Sequence, residues 1–175
     1  MHLYLLRHGI ASDFVAGLTR DADRPLTKEG WKKMRDEARG MQKLGLDFDL
    51  IFTSPYLRTR QTAQAVAEVY EFDADNIISI ENLAAGRPFA HPPYRNPEVF
   101  TDISAYEFDK ALIVGHMPDL SEMTSLLLTG TTTAHFEFKK GSLCLIEVDA
   151  LPPRQPGVLR WMLTPKQLVN LAPKH

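Results

Sequence analysis

Cysteine is almost absent from this chain. Its one thiol, Cys144, cannot form an internal disulfide or a cysteine-rich zinc site, so a reducing compartment is expected. Long apolar runs are absent as well. Leu3 to Leu6 precedes Arg7 and His8 and is too short for a secretory h-region. No stretch approaches the roughly 18–20 apolar residues that span a bilayer. A cytoplasmic location with no membrane partner is the expectation. Neither sign of charge dominates: 20 Lys and Arg stand against 22 Asp and Glu, a formal net charge of −2. That balance argues against a nucleic-acid partner, although a local cationic site fits inside a near-neutral total. Glycine motifs for phosphate are missing too. With no Gly-Lys pair there is no P-loop, and with no Gly-x-Gly there is no dinucleotide fingerprint. Six residues after Cys144 stands Ala150, where a thiolate phosphatase needs an arginine. His-Glu-x-x-His does not occur, and Asp47-Phe48-Asp49 precedes an apolar strand instead of following one. No metal and no cofactor is expected.

What the chain has is an ordinary globular composition, 44% hydrophobic and 24% charged over 175 residues. This length suits one domain over residues 1–175, able to bury about 70% of its unfolded surface. Leu3 to Leu6 reads as a buried strand ending at Arg7-His8-Gly9. Thr27 is a candidate N-cap for a helix with Trp31, Met34, Ala38, Met41 and Leu44 on its inner face, stopping at Gly45. Phe48 to Phe52 is a second strand, ending at Thr53-Ser54-Pro55, and a helix with Ala63, Val66, Val69 and Tyr70 on one face follows. Ile77 to Ile80 is a third strand, closed by Glu81. Asn82 to Pro97, with four prolines, is a loop, and a short helix is expected from Pro97 to Phe108. Ala111 to Val114 is a fourth strand, ending at Gly115-His116. A helix then starts at Pro118, with Asp119 where the helix dipole favours a negative charge. His135 to Phe138, Leu143 to Val148 and Val158 to Leu163 read as strands. Alternating strands and helices followed by hairpin-like strands predict an α/β sheet, parallel first, with antiparallel strands at one edge.

Ligands of open α/β sheets bind beyond the carboxyl ends of the strands. Here three strand ends would bring Arg7, His8, Arg58 and His116 to one edge. Guanidinium forks match phosphate oxygens and stay charged, so two of them form a dianion clamp. A neutral imidazole is a nucleophile, and neighbouring arginines disfavour its protonated form. These are the parts for phosphoryl transfer onto a histidine, with the arginines supplying the charge that a metal would otherwise bring. Ser54 is read as fixing the Arg58 turn, Arg24 as positioning a helix start, Arg60 as structural, and Arg87 as a solvated group. His2, His91, His135 and His175 have no supporting pattern.

Leu5-Leu6-Arg7-His8-Gly9 resembles the Arg-His-Gly signature of the histidine phosphatase superfamily, which includes the phosphoglycerate mutases. Ser54-Pro55-Tyr56-Leu57-Arg58-Thr59-Arg60-Gln61-Thr62-Ala63 is similar to its second motif, and Gly115-His116 to its late histidine. Arg24-Pro25-Leu26-Thr27, Val114-Gly115-His116-Met117-Pro118 and Trp161-Met162-Leu163-Thr164-Pro165 resemble the SixA-type phosphohistidine phosphatases within it. The resemblance implies a three-layer α/β/α fold with a mostly parallel mixed central sheet, phosphoglycerate mutase-like, in a single catalytic domain. It implies His8 as the nucleophile, with Arg7, Arg58 and His116 holding the phosphoryl oxygens. Glu81 is the positional match for the acid that protonates the leaving group. The implied activity is metal-independent dephosphorylation through phospho-His8, with a phosphohistidine side chain on a signalling or phosphotransfer protein as substrate. A small-molecule phosphomonoesterase on the same chemistry, and a non-catalytic phosphate-binding module, are the alternatives.

Overall fold

The computed structural model describes residues 1–13, 20–87 and 97–173. A six-stranded sheet runs in the order β3-β2-β4-β1-β5-β6. Its strands are β1 (His2–Arg7), β2 (Leu50–Thr53), β3 (Ile77–Ser79), β4 (Lys110–Gly115), β5 (Leu143–Glu147) and β6 (Val158–Leu163). The first four are parallel, and β5 and β6 join antiparallel beyond β1. β1 and β4 are central and covered on both faces, which is why both are continuous apolar runs with no alternation.

Among the described residues five α-helices cover the sheet: α1 (Lys28–Lys43), α2 (Leu57–Tyr70), α3 (Glu98–Ser104), α4 (Asp119–Thr129) and α5 (Pro165–Leu171). Leu3, Leu5, Phe52 and Ile113 face α3 and α4 through Phe100, Ile103, Leu120 and Met123. Tyr4, Leu6, Leu112 and Val114 face the other way, against Met34 and Met41 of α1, Val66 of α2 and Leu168 of α5. Alternation along each strand thus divides the apolar side chains between two cores, giving the expected three layers. No helix among the described residues is long and apolar enough to cross a membrane.

Helix α1 starts where expected: the Thr27 hydroxyl accepts the Gly30 N–H at 2.9 Å. Gly30 also lets the helix touch the loop after β1, since a Cβ there would lie 2.1 Å from the Ile10 carbonyl oxygen. The inner face differs at two positions. Leu44 is exposed because the helix ends at Lys43, and the Leu44 N–H closes the last turn. Glu37 takes a buried place between Met34, Ala38 and Met41.

The expected strand at His135 to Phe138 does not form. The flanks of β1 are taken by β4 and β5. The segment instead crosses α4 as coil. The Ala134 and Phe136 N–H groups donate to the Ser125 and Ser121 hydroxyls at 2.9 and 2.8 Å. Alternating apolar residues read as a strand, but serine side chains had already satisfied the backbone donors. β2 begins two residues later than expected because Asp49 turns its carboxylate onto the Asp109 and Lys110 N–H groups, both at 2.8 Å. Of the loop expected from Asn82 to Pro97, residues 88–96 lie outside the described residues, as do His91 and His175.

Candidate active site

Register brings three strand ends to one level. Arg7 pairs with Gly115 and Thr53 with Val114. The His8 N–H then donates to the Gly115 carbonyl, and the Ser54 N–H to that of Val114, at 3.1 and 3.2 Å. Since β4 lies between β2 and β1, the residue after β4 must sit between the residues after its neighbours. His116 therefore has Ser54 on one side and His8 on the other. The two imidazole centroids are 5.3 Å apart.

His8 is 7% exposed, and its Nδ1 lies 2.8 Å from the Gly9 carbonyl oxygen. A carbonyl only accepts, so Nδ1 carries the proton and Nε2 keeps its lone pair. Burial holds the imidazole at a pKa of about 4, and the Arg58, Arg7 and Lys140 charges push in the same direction against the Gly9 contact. His8 is thus neutral across the physiological range, with Nε2 as a free nucleophile. His116 places Nε2 2.8 Å from the Ser54 hydroxyl, and its buried Nδ1 has no partner. Burial first, then Arg58 and His8, lower its pKa to about 3.

The two arginines approach from different elements. Arg58, in the first turn of α2, is 5% exposed. It donates to the Asp21 carbonyl and carboxylate at 2.8 Å each. Its guanidinium also lies over the Tyr56 ring, whose edge meets His116. Arg7 donates to the Phe138 carbonyl at 2.6 Å and keeps a buried, unpartnered Nε. Burial lowers its pKa from the usual arginine value. Unpartnered Nε and Nδ1 atoms beside two guanidinium groups make a basin for a doubly charged, oxygen-rich group.

The structure therefore brings Arg7, His8, Arg58 and His116 together. Glu81 is exposed and lines a cleft with Pro55, Arg60 and Gln64. Among the described residues no hydrogen bond or ion pair joins it to the cluster. Arg60 shares that cleft, and Arg87 is exposed.

Asp21, Thr62 and Tyr56 escaped the sequence reading as supporting residues, and Ser54, read as fixing the Arg58 turn, has a further contact. Asp21 anchors Arg58 and is itself held by Arg24 at 2.9 Å, a second role for an arginine read as a helix positioner. The hydroxyl of Thr62 accepts the Gly9 N–H at 3.1 Å and donates to the Arg58 carbonyl at 2.7 Å, coupling the two signature segments. Ser54 holds His116, besides accepting the Tyr56 N–H at 3.3 Å. Tyr56 is the platform between His116 and Arg58. The spacing of Thr62, four residues after Arg58, was the one signal available: it puts both on one helix face. The Asp21 contact spans 37 positions and has no local signature.

Comparison with known proteins bears on this geometry. The sequence model of the Histidine phosphatase superfamily (branch 1) matches residues 3–87. An uncharacterised protein of Picosynechococcus sp. is 35% identical over 159 residues, 82% of each chain. The structure of the protein histidine phosphatase SixA complexed with tungstate superposes with a TM-score of 0.80 at 20% identity, covering 96% of this chain and 99% of that one. An alpha-ribazole phosphatase structure from Shigella flexneri gives a TM-score of 0.70 at 20% identity, covering 94% of this chain and 97% of that one.

Proposed function

The chain belongs to the histidine phosphatase superfamily, and from that membership and the site geometry we propose that it removes phosphate from phosphohistidine side chains through a phospho-His8 intermediate. The observation that carries the reading is the state of His8. Its Nδ1–H is fixed on the Gly9 carbonyl, its pKa is held near 4, and two arginines and a second imidazole surround it. The structurally similar SixA was solved in complex with tungstate, a phosphate-shaped oxyanion, which supports an oxyanion as the ligand of this fold.

In the first half-reaction the His8 Nε2 lone pair attacks phosphorus. The new P–N bond forms as the bond to the leaving group breaks. Arg7, Arg58 and His116 hold the three phosphoryl oxygens as charge spreads over them. In the second half-reaction water attacks phosphorus, the P–N bond to His8 breaks, and inorganic phosphate leaves. No metal is needed for this sequence, because guanidinium charge stabilises the same oxygens. A phosphoramidate suits the site better than an ester: an imidazole leaving group asks for less proton donation than an alkoxide, and among the described residues no hydrogen bond or ion pair ties Glu81, the acid assigned by resemblance, to the cluster. The partner is then a phosphorylated signalling or phosphotransfer protein.

The test is a substrate panel. A phosphohistidine protein is compared with sugar, nucleotide and glycerate phosphates, with and without a chelator. Faster turnover of the phosphohistidine protein, unaffected by chelator, is the expected result. Higher kcat/KM on one small ester would make the protein a phosphomonoesterase instead. Tight phosphate binding with no turnover on any member would make it a binding module.

A further inference from the structure

On the sheet face covered by α1 and α5 lies a second cavity, of about 340 Å³. That volume is within the range of small-ligand sites. Its wall includes Ile10, Lys33, Glu37, Lys140, Lys166 and Val169. None of Arg7, Arg58 and His116 lines it, but Gly9, next to the nucleophile, does.

Glu37 is the unexplained group. It is 2% exposed, and its Oε2 has no hydrogen-bond partner. The neighbouring core positions of α1 are Met34, Ala38 and Met41, so an apolar residue would satisfy the fold at this place. The turn after Lys140 is shaped around the carboxyl group: a Cβ on Gly141 would lie 2.4 Å from Oε2, and Gly141 has φ +87. Burial raises the Glu37 pKa to about 8, so near neutrality it is mostly a carboxylic acid with a proton to donate. A buried donor without an acceptor is costly unless something outside the chain completes it.

The rim has the opposite character. Lys33, Lys140 and Lys166 are all exposed, and only Lys33 has an ion-pair partner, Glu29 at 2.6 Å, among the described residues. The cavity therefore pairs a cationic mouth with apolar walls and a hydrogen-bonding floor.

We propose that this cavity is a second ligand site, built for a small amphiphilic organic acid. Its carboxylate meets the lysines, its apolar body lies on Ile10 and Val169, and a hydroxyl at its far end bonds to Glu37. A molecule of roughly a dozen non-hydrogen atoms fits the volume. The site is placed to influence the nucleophile, because the Lys140 charge acts on His8 and Gly9 belongs to both sites. Nothing in this assignment depends on which phosphate compound the protein hydrolyses.

The experiment is an amide NMR titration of the full chain with 3-(4-hydroxyphenyl)propanoate. Saturable shifts are expected at Gly9, Ile10, Lys140 and Gly141, with Kd of about 1 mM or tighter for a ligand of this size. The des-hydroxy acid and the methyl ester should each bind about tenfold more weakly. The double variant Lys33→Gln/Lys166→Gln, on exposed positions that the fold does not need, should weaken the acid by about tenfold or more. Absence of saturation at about 20 mM would overturn the proposal. So would equal affinity for the ester, or shifts confined to Arg7, Arg58 and His116, which would put the anion in the phosphate clamp.

Discussion

At the scale of single residues, His8 and Arg58 test different halves of the site. His8→Ala removes the proposed phosphoryl acceptor, so both turnover and the acid-labile, base-stable phosphoenzyme should vanish in a rapid-quench assay. Arg58→Ala leaves His8 in place but removes one fork of the proposed clamp. By analogy with loss of an oxyanion donor, it should cost about 2.7–4 kcal/mol in the transition state, or about 10²–10³ in kcat. A loss below tenfold would take Arg58 out of the clamp. The same variant carries an electrostatic signature. Arg58 lowers the pKa of His8 and of His116, so its removal should raise both above the values near 4 and 3. Ring resonances followed by NMR through acid pH report this directly, and no upward movement would mean that Arg58 does not help set the His8 charge state. Asp21→Asn is milder. It keeps the backbone carbonyl contact to Arg58 and loses only the carboxylate charge, so it should lower kcat by less than Arg58→Ala.

Elements explain why the cluster forms and how much of it could be read in advance. Each of Arg7, His116 and Ser54 lies within one residue of a strand end, and parallel strands end on the same side of a sheet. Apolar runs at Leu3–Leu6 and Ala111–Val114 thus sufficed to place those residues together. The supporting contacts were not legible. Asp21 meets Arg58 and Phe138 meets Arg7 across 37 and 131 positions, and only the folded chain sets such pairs. The misread segment at His135 to Phe138 shows the same limit, since its alternation could not reveal that Ser121 and Ser125 would take its N–H groups. Glu37 was invisible for another reason: a glutamate on a helix reads as a solvated face. Gly30 offers an element-scale test. Alanine is about 1 kcal/mol better than glycine in a helix interior. Here its methyl group would meet the Ile10 carbonyl at 2.1 Å, so α1 would have to move away from the loop that carries His8. Gly30→Ala should therefore destabilise by about 1–3 kcal/mol in urea denaturation, against its propensity. Unchanged or higher stability would show that the close approach is not enforced.

For the whole molecule, four buried titratable groups set opposing pH slopes on stability. His8 and His116 have folded pKa values near 4 and 3, below the unfolded value of 6.5. As pH falls below 6.5, the unfolded chain takes up protons that the folded one refuses, and stability is lost. Glu37, raised to about 8 from 4.5, and Asp119, raised to about 6 from 3.8, act in the other direction. As pH rises above 4.5 and 3.8, the unfolded chain releases protons that the folded one retains, and stability is again lost. Between about 4.5 and 6 the two histidines and the two acids nearly cancel, so stability should be flat there. Above 6.5 only the Glu37 slope remains, up to pH 8, and between about 4 and 3 the His116 slope dominates. Urea midpoints should accordingly be highest at mildly acid pH, with a decline toward pH 8. Glu37→Gln removes the alkaline slope. It should match the parent near pH 5 and exceed it at pH 8.5 by on the order of 4 kcal/mol. An equal difference at both pH values would mean that Glu37 does not titrate between them. Buffers for this measurement should be free of organic acids, because a ligand on Glu37 would stabilise the parent and reduce the difference.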